Sequence, residues 1–258
     1  MNVLIISPEP WTGHSVSKHH YAQALAARGH QVAYLDPPDA GLTGLTIEAS
    51  EAGKAVWIVR GPRLAPGLRF IPFALRRLLE ARWLAAVEEN LGWRFDIVWL
   101  FENSRFYDMG FAGKRVCIYH QVDLNQDFHI AQALATSHLR LTNTSAMLRR
   151  FSMLGFDGHK IDHGVAQVPA DDVTIRDPRL RPGRIAAAYV GNLDIPYLDA
   201  PLISDLIAMT PQVDFHMIGT ASQGNRLRSL THGAENVFWW GRINSADIVP
   251  TLRSMDVL

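Results

Sequence analysis

The sequence predicts an α/β protein with two successive domains, each built on a mostly parallel sheet, the second domain being incomplete. Short runs of β-branched residues alternate with segments of helical periodicity, which is typical of βαβ units. The chain has 258 residues, of which 48% are hydrophobic, enough for one large core or two small ones. A proline-bearing stretch without apolar periodicity predicts a linker at 166–183. The expected domains are therefore residues 1–165 and 184–258.

Charge and cysteine content exclude several classes of protein. Lysine plus arginine and aspartate plus glutamate both number 25, so the basic surplus typical of nucleic-acid-binding proteins is missing. The single cysteine, Cys117, excludes a disulfide framework and is typical of a reducing compartment. The first seven residues carry no charged leader, and no apolar run is long enough to span a membrane. We therefore expect a soluble, cytoplasmic protein that does not bind nucleic acid.

The first domain is expected to begin with a buried strand at residues 3–6. Ser15 or Ser17 should cap the helix that follows, and Gly29 should end it. Apolar runs predict further strands at 31–35, 55–59, 96–100, 115–119 and 139–141. Helical periodicity predicts helices at about 70–90 and at 145–153.

The second domain repeats the alternation over a shorter length. Strands are expected at 185–190, 213–218 and 236–240, with Asp199 capping a helix between the first two. Pro250 should lie in the first turn of a last helix. Residues 256–258 read as the start of another strand, and a sheet of three or four strands is small for an independent domain. We favour a truncated chain over one whose last part pairs with another molecule.

Several segments resemble, in chain order, those of the retaining glycosyltransferases called group 1 or family 4. That family has the GT-B fold, in which two Rossmann-like domains face each other. The segments are TGHS at 12–15 with AQALAARGHQV at 22–32, TSAMLRR at 144–150 with IDHGV at 161–165, YVGNL at 189–193, FHMIG at 215–219 with VFWWGR at 237–242, and IVPTL at 248–252 with MDVL at 255–258. The family's pair of donor-side glutamates has no counterpart here. His14 replaces a usual glycine, and no basic residue follows Asn192 before Leu202.

The resemblance implies transfer of a sugar from a nucleotide-sugar donor to a saccharide or lipid-linked acceptor, with retention. Negative charge that builds on the departing diphosphate must meet backbone amides, a helix N-terminus or arginine. His120, which follows a predicted strand, would be the catalytic residue that orients the donor sugar. The residues implied to bind the donor are Gly13, Gly191, Asn192, Gly219, Arg226 and Arg242. Those implied to face the acceptor are His14, Ser15 and Asp123.

Each of these residues also has a purely structural interpretation. Gly13 suits an ordinary strand-to-helix turn, and His120 suits a hydrogen-bonded structural histidine. Asp123 and Arg226 are typical of a solvated loop and a solvated helix face, and we favour that reading for both. Cys117 lies in an apolar strand and is expected in the core rather than as a nucleophile.

No cofactor or metal is expected. The first loop has one glycine rather than G-x-G-x-x-G, which disfavours NAD, and the phosphate-loop motif is absent. The sequence has eleven histidines but no H-E-x-x-H motif. His159 and His163 lie four residues apart, in a segment without helical periodicity.

The stretch 60–94 is basic and amphipathic. Arginines predominate over acids there, and Leu75, Leu78, Leu79 and Trp83 recur at helical spacing. Such a helix either lies on the anionic inner face of a membrane, where lipid-linked acceptors are found, or packs its apolar side on the sheet with its arginines in water. We favour the second interpretation.

Two other functions fit parts of the sequence. The first is a non-catalytic GT-B-derived binding module or one half of a two-chain transferase, supported by the missing glutamate pair. The second is another Rossmann-type nucleotide enzyme, such as an epimerase or dehydrogenase, which would explain the strands but not the linker or the order of the motifs.

Overall fold

A computed structural model describes residues 1–12, 15–50, 56–65, 67–101, 103–123, 128–164, 177 and 179–258. Contacts between Cα atoms divide the chain into two compact units, Met1–Val165 and Ala166–Leu258. Residues 166–176 and 178 of the expected linker lie outside the described residues.

The first unit is built on one sheet whose strand order is β3-β4-β2-β1-β5-β6-β7-β8. Every neighbouring pair is parallel except β3 and β4, which are antiparallel. The strands are β1 (Asn2–Ile6), β2 (Gln31–Leu35), β3 (Thr46–Ala49), β4 (Val56–Arg60), β5 (Ile97–Leu100), β6 (Val116–Gln121), β7 (Leu139–Thr142) and β8 (His159–Lys160). The expected α/β class with parallel strands is confirmed.

Helices cover both faces of this sheet, which explains why its central strands are apolar throughout. They are α1 (Ser17–Ala27), α2 (Phe73–Leu91), α3 (Ile130–Thr136) and α4 (Ser145–Met153). On one face, Val3 and Ile5 pack in a cluster with Ala22 of α1. On the other face, Leu4 and Ile6 belong to a cluster that includes Leu84 of α2. Alternate residues of β1 therefore enter two separate core layers.

The second unit has a smaller parallel sheet with the order β11-β10-β9. Its strands are β9 (Ile185–Val190), β10 (Val213–Ile218) and β11 (Val237–Gly241), and its helices are α5 (Ala200–Met209), α6 (Arg226–Leu230) and α7 (Ser245–Leu252). As expected, Asp199 caps α5 by accepting from the Leu202 N–H at 3.1 Å. Val257 forms a parallel bridge with Ala187 of β9, and the Ala188 N–H donates to the Val257 carbonyl at 2.8 Å.

Some local expectations were wrong. Neither Ser15 nor Ser17 caps α1; Val16 is the N-cap residue, and its N–H donates to Nδ1 of His19 at 3.1 Å. Pro250 lies inside α7 rather than in its first turn. Strand β3, the two-residue β8 and helix α3 were not expected, because each is short and lacks a clear apolar period.

Candidate functional site

His120 lies near the carboxyl end of β6, which pairs with β5 and β7 in the first sheet. The strand extends two residues further than expected, so His120 is part of the strand rather than the residue after it. Its imidazole is 1% exposed and faces the rings of Tyr21, Trp99 and Phe101 at centroid distances of 5.7, 5.9 and 4.9 Å. Neither ring nitrogen has a hydrogen-bond partner among the described residues. The expected structural role, a histidine satisfied by hydrogen bonds, is therefore not seen in this part of the chain.

Burial also fixes the charge of this imidazole. Desolvation, with smaller contributions from the charges of His163 and Lys18, lowers the pKa of His120 from 6.5 to about 4. At neutral pH the ring is therefore uncharged, with one donor and one acceptor nitrogen. Such a group can bind and orient a hydroxyl, but it carries no positive charge to stabilise an anion.

Two polar groups that sequence analysis missed influence this region. The side chain of Lys18 is 4% exposed, and its Nζ lies 3.0 Å from Oε2 of Glu9. Nε2 of His163 is within 2.7 Å of Nδ2 of Asn143, whose amide also donates to the Val122 carbonyl at 3.1 Å. His163 lies in the IDHGV segment at 161–165 that the family resemblance had singled out, whereas Lys18 lies between the segments at 12–15 and 22–32, and no signal in the sequence marks it.

The acceptor-side residues are only partly described. His14 lies outside the described residues, as does the neighbouring Gly13, which the resemblance implies to bind the donor. Ser15 is exposed just before α1, and Asp123 is exposed two residues beyond the end of β6. The Asp123 carbonyl accepts a hydrogen bond from Nε2 of Gln121 at 3.1 Å, which holds the backbone of this loop against the strand end.

In the second unit, the carboxyl ends of the three strands meet at two glycines. Gly219 follows β10 with a φ of +137°, and a Cβ there would lie 2.9 Å from the carbonyl carbon of Gly191 and closer still to its oxygen. The Gly191 N–H donates to Ile218, and the Gly219 N–H donates to Gly241, at 3.0 and 2.8 Å. A side chain at Gly219 would therefore clash with the backbone of Gly191, whereas a Cβ at Gly191 would meet only the side chain of Tyr189, at 3.4 Å.

The loop after β9 is organised by Asp194. Its carboxylate accepts hydrogen bonds from the Ser222 N–H and hydroxyl and from Nδ2 of Asn225, at 2.7, 2.9 and 2.8 Å. Hydrogen bonds, the one from Asn225 first, hold the pKa of Asp194 below its usual value. Asn192 is exposed, and its side-chain oxygen accepts from the Asp194 N–H at 3.0 Å. This network links the loops that follow β9 and β10.

The arginines predicted to bind the donor are all on the surface of this unit. Arg226 is exposed at the first position of α6. Arg228 lies over the ring of Trp239, with 4.7 Å between its guanidinium carbon and the ring centroid. Arg242 is exposed and directly follows Gly241, whose carbonyl bonds to Gly219. The structure therefore brings Gly191, Gly219 and the start of the Arg242 loop to one edge of the sheet, without showing what Arg226 contacts.

The favoured interpretation of the 60–94 stretch is met only in part: Trp83 of α2 packs against the core and Arg82 is exposed, but two of the leucines and one arginine do not follow it. Leu75 and Leu78 are each 47% exposed, whereas Arg76 is 2% exposed. Nε of Arg76 donates to Oε1 of Glu80 at 2.7 Å, and its guanidinium lies 3.6 Å from the centroid of Tyr107. The buried side of α2 therefore combines this ion pair with apolar residues such as Leu84 and Val87.

The described residues also bear on the expectations about metal-binding groups, membrane-spanning helices and the reactivity of the cysteine. Among the described residues, no three His, Cys, Asp or Glu side chains are grouped so that they could hold a metal ion. In the same part of the chain, no helix has the length and apolar character needed to cross a bilayer. Cys117 is buried as expected, and burial raises the pKa of its thiol to about 11, so it is not a nucleophile at neutral pH.

Comparison with known proteins shows the fold. No protein-family model matches the sequence, and no curated protein matches it. The structure is similar to that of HepE from Anabaena, solved in complex with UDP and glucose, with a TM-score of 0.64 and 16% identity over 98% of this chain and 71% of the other. A glycosyltransferase from Rickettsia africae gives 0.60 and 12%, over 96% and 69%. The catalytic domain of starch synthase IV from Arabidopsis thaliana, bound to ADP and acarbose, gives 0.56 and 11%, over 98% and 76%. The chain therefore has the fold of GT-B glycosyltransferases.

Proposed function

We propose that this chain takes part in transferring a sugar from a nucleotide-sugar donor to a saccharide or lipid-linked acceptor, with retention, in polysaccharide or glycoconjugate biosynthesis in the cytoplasm. The observation that carries the proposal is the buried His120, whose two ring nitrogens have no partner among the described residues. Leaving a buried polar group unpaired costs about 1–3 kcal/mol, a cost that a bound hydroxyl removes. Similar structures solved with UDP and glucose, or with ADP and acarbose, support a nucleotide sugar as the donor.

His120 would act by orientation rather than by proton transfer. Because its pKa is about 4, the imidazole is neutral at pH 7. It therefore has no imidazolium proton to donate and is a poor general acid. A neutral imidazole donates through one nitrogen and accepts through the other, which suits a sugar hydroxyl. Holding the donor sugar in a reactive orientation lowers the entropic part of the barrier.

The donor's diphosphate and nucleotide would be bound by the second unit. Gly191 and Gly219 leave the ends of β9 and β10 free of side chains, and ligands of parallel sheets bind at this edge. We assign Asn192, Arg226 and Arg242 to binding the nucleotide diphosphate as well. The guanidinium groups of the two arginines pair well with phosphate oxygens. Gly13 would meet the phosphates from the first unit. The reaction in this proposal uses no metal or other cofactor.

The acceptor would be bound by the first unit, through His14, Ser15 and Asp123. A lipid-linked acceptor requires contact with a membrane surface. Four apolar side chains on and just before α2 are exposed and define what we call the α2 apolar surface: Phe70 at 77%, Phe73 at 49%, and Leu75 and Leu78 at 47% each. Arg82 is exposed on the same helix. We propose that this surface lies on the inner leaflet of the membrane.

Two measurements test the function. Binding of UDP-glucose is measured by calorimetry, and transfer is measured by release of UDP, for the unmodified protein and for His120→Ala. We expect His120→Ala to lower turnover on the order of a hundredfold while the protein stays folded, because the donor sugar loses its orienting contact. His20→Ala is the matched control, since His20 is exposed on α1.

The two measurements separate the alternatives. Equal turnover in His120→Ala and the unmodified protein would remove the proposed role of His120. Binding of UDP-glucose without any release of UDP would instead favour a non-catalytic binding module, or one half of a two-chain transferase.

A further inference from the structure

The first unit contains a cavity of about 440 Å³ that the proposed transfer site does not use. It lies beyond the carboxyl ends of β1, β2, β4 and β5, on the α2 side of the sheet, whereas His120 faces Tyr21 of α1. A volume of this size falls in the range of small-molecule pockets, and this edge of a parallel sheet is where ligands bind.

The walls of the cavity are mainly apolar and stiff. Prolines contribute on three sides, from the loops after β1, β2 and β4, and Trp83 contributes from α2; the prolines are Pro8, Pro37, Pro38 and Pro62. Proline has a fixed φ, so these loops lose little entropy when a ligand binds. The cavity is therefore preformed and suits a molecule with a flat or bulky apolar body.

One wall carries a buried acceptor atom that is not satisfied. Glu80 is 0% exposed, and its Oε1 accepts from Arg76 at 2.7 Å. Its Oε2 has no hydrogen bond of good geometry with a described residue, although the backbone N–H of Phe106 lies close enough to the carboxylate to act against the rise in its pKa. Burial, opposed by the charge of Arg76, raises the pKa of Glu80 to about 7. A ligand that brings a hydrogen-bond donor to this wall would remove the cost of the unpaired oxygen.

A second wall carries an unpaired positive charge. Arg63 lines the cavity and is exposed, and it has no hydrogen bond or ion pair with any described residue. The other charges lining the cavity already have protein partners. Asp36 accepts from the Trp11 N–H and from Nε of Arg60, at 2.7 and 3.0 Å, and Arg105 donates to the Ser7 carbonyl at 2.7 Å. The charge left over is therefore positive.

From these features we infer that the cavity binds a small organic anion with an apolar body, whose acid group pairs with Arg63 and whose body lies between the prolines and Trp83. A donor group on the ligand bonds to Glu80. The cavity lies on the opposite side of the first sheet from His120, and binding there needs no sugar transfer.

The test uses two fluorescent dyes of nearly the same shape. 1-Anilinonaphthalene-8-sulfonate has an apolar body, an N–H donor and a sulfonate, and N-phenyl-1-naphthylamine lacks the sulfonate. Each is titrated into the folded, unmodified full chain and into Arg63→Gln. We expect Arg63→Gln to weaken binding of the sulfonate about fivefold, the value of an ion pair at a partly exposed site, and to leave the neutral dye unchanged.

Two further variants test whether the dyes bind in the cavity rather than elsewhere on the protein. Arg82→Gln removes an exposed arginine that does not line the cavity, and it should leave both affinities unchanged. Ala65→Trp fills the cavity from the loop after β4 and should abolish binding of both dyes. Equal loss of sulfonate binding in Arg63→Gln and Arg82→Gln would overturn the inference, and so would undiminished binding of both dyes by a folded Ala65→Trp protein. UDP-glucose binding, measured alongside, should be unchanged in all three variants.

Discussion

His120 shows how a single buried residue acquires its properties from its neighbours. Alternation along β6 places it on the face of the sheet that α1 covers, beside Trp99 and Phe101 of the adjacent strand segment. Water is excluded there, so the uncharged imidazole is strongly preferred. The same burial that makes the residue suitable for orienting a hydroxyl makes the fold sensitive to acid.

The lowered pKa of His120 predicts that the stability of the protein depends on pH. The pKa of His120 is lowered from 6.5 to about 4 in the folded state, so between these values the unfolded chain binds the proton and the folded chain does not. His120 therefore contributes stability above pH 6.5 that is lost as the pH falls towards 4, in total about 3 kcal/mol. Urea unfolding of the full chain at several pH values from 7 to 4.5 should show this decrease in the unfolding free energy of the first unit.

Replacement of His120 isolates its share of the pH dependence. His120→Phe keeps an aromatic ring in the cluster with Tyr21 and Phe101 and has no proton to bind. Its stability should fall distinctly less on acidification than that of the unmodified protein, whereas His20→Gln, at an exposed position, should behave like the unmodified protein. A steep acid dependence that persists in His120→Phe would show that other groups cause it.

Helix α2 shows which of its features sequence periodicity predicts and which it does not. Length and position were predicted within three residues, because apolar residues and good helix formers continue over five turns and Gly92 follows. The buried side was predicted only in part, because the buried residues of α2 include Arg76, Glu80 and Glu88. A charged residue enters a core only with a partner, and partners from distant loops, such as Tyr107, do not show in local periodicity.

The candidate site divides in the same way. The positions of His120, Gly191 and Gly219 at the carboxyl ends of strands were predicted from sequence, since an apolar run leads up to each, and their roles stay predictions. Lys18 and Glu80 were not predicted, because their significance depends on burial. The short elements β3, β8 and α3 were also missed, since their pairing with stronger neighbours, rather than their own pattern, stabilises them.

The α2 apolar surface makes a prediction about membranes. The full chain should sediment with vesicles of phosphatidylcholine and anionic phosphatidylglycerol, and the double variant Phe73→Ser/Leu78→Ser should bind them about tenfold more weakly, because two half-exposed apolar side chains no longer insert. Met153→Ser/Leu154→Ser removes exposed apolar groups from the end of α4 and should bind normally. Equal binding by the two double variants would assign the contact to another surface.

The whole molecule consists of two units with separate cores. One core cluster of the first unit includes Leu84 and Phe151, and the cluster of the second unit includes Met217 and Leu227. The second sheet has three strands among the described residues, against eight in the first. Smaller units bury a smaller fraction of their surface, so we expect the second unit to be less stable.

Calorimetry should therefore resolve two unfolding transitions, and one substitution in each unit should identify them. Gly219→Ala forces a Cβ against the Gly191 carbonyl at a φ of +137°, which should destabilise the second unit by about 2 kcal/mol and lower its Tm by roughly 10 °C. Leu84→Ala leaves a cavity beneath α2 and should destabilise the first unit by about 2–5 kcal/mol. It should therefore lower only the Tm of the first unit. UDP-glucose should raise the transition that Gly219→Ala lowers, since a ligand stabilises the unit that binds it. If both substitutions shift a single common transition, the units unfold together, and the two separate cores do not amount to separate cooperative domains.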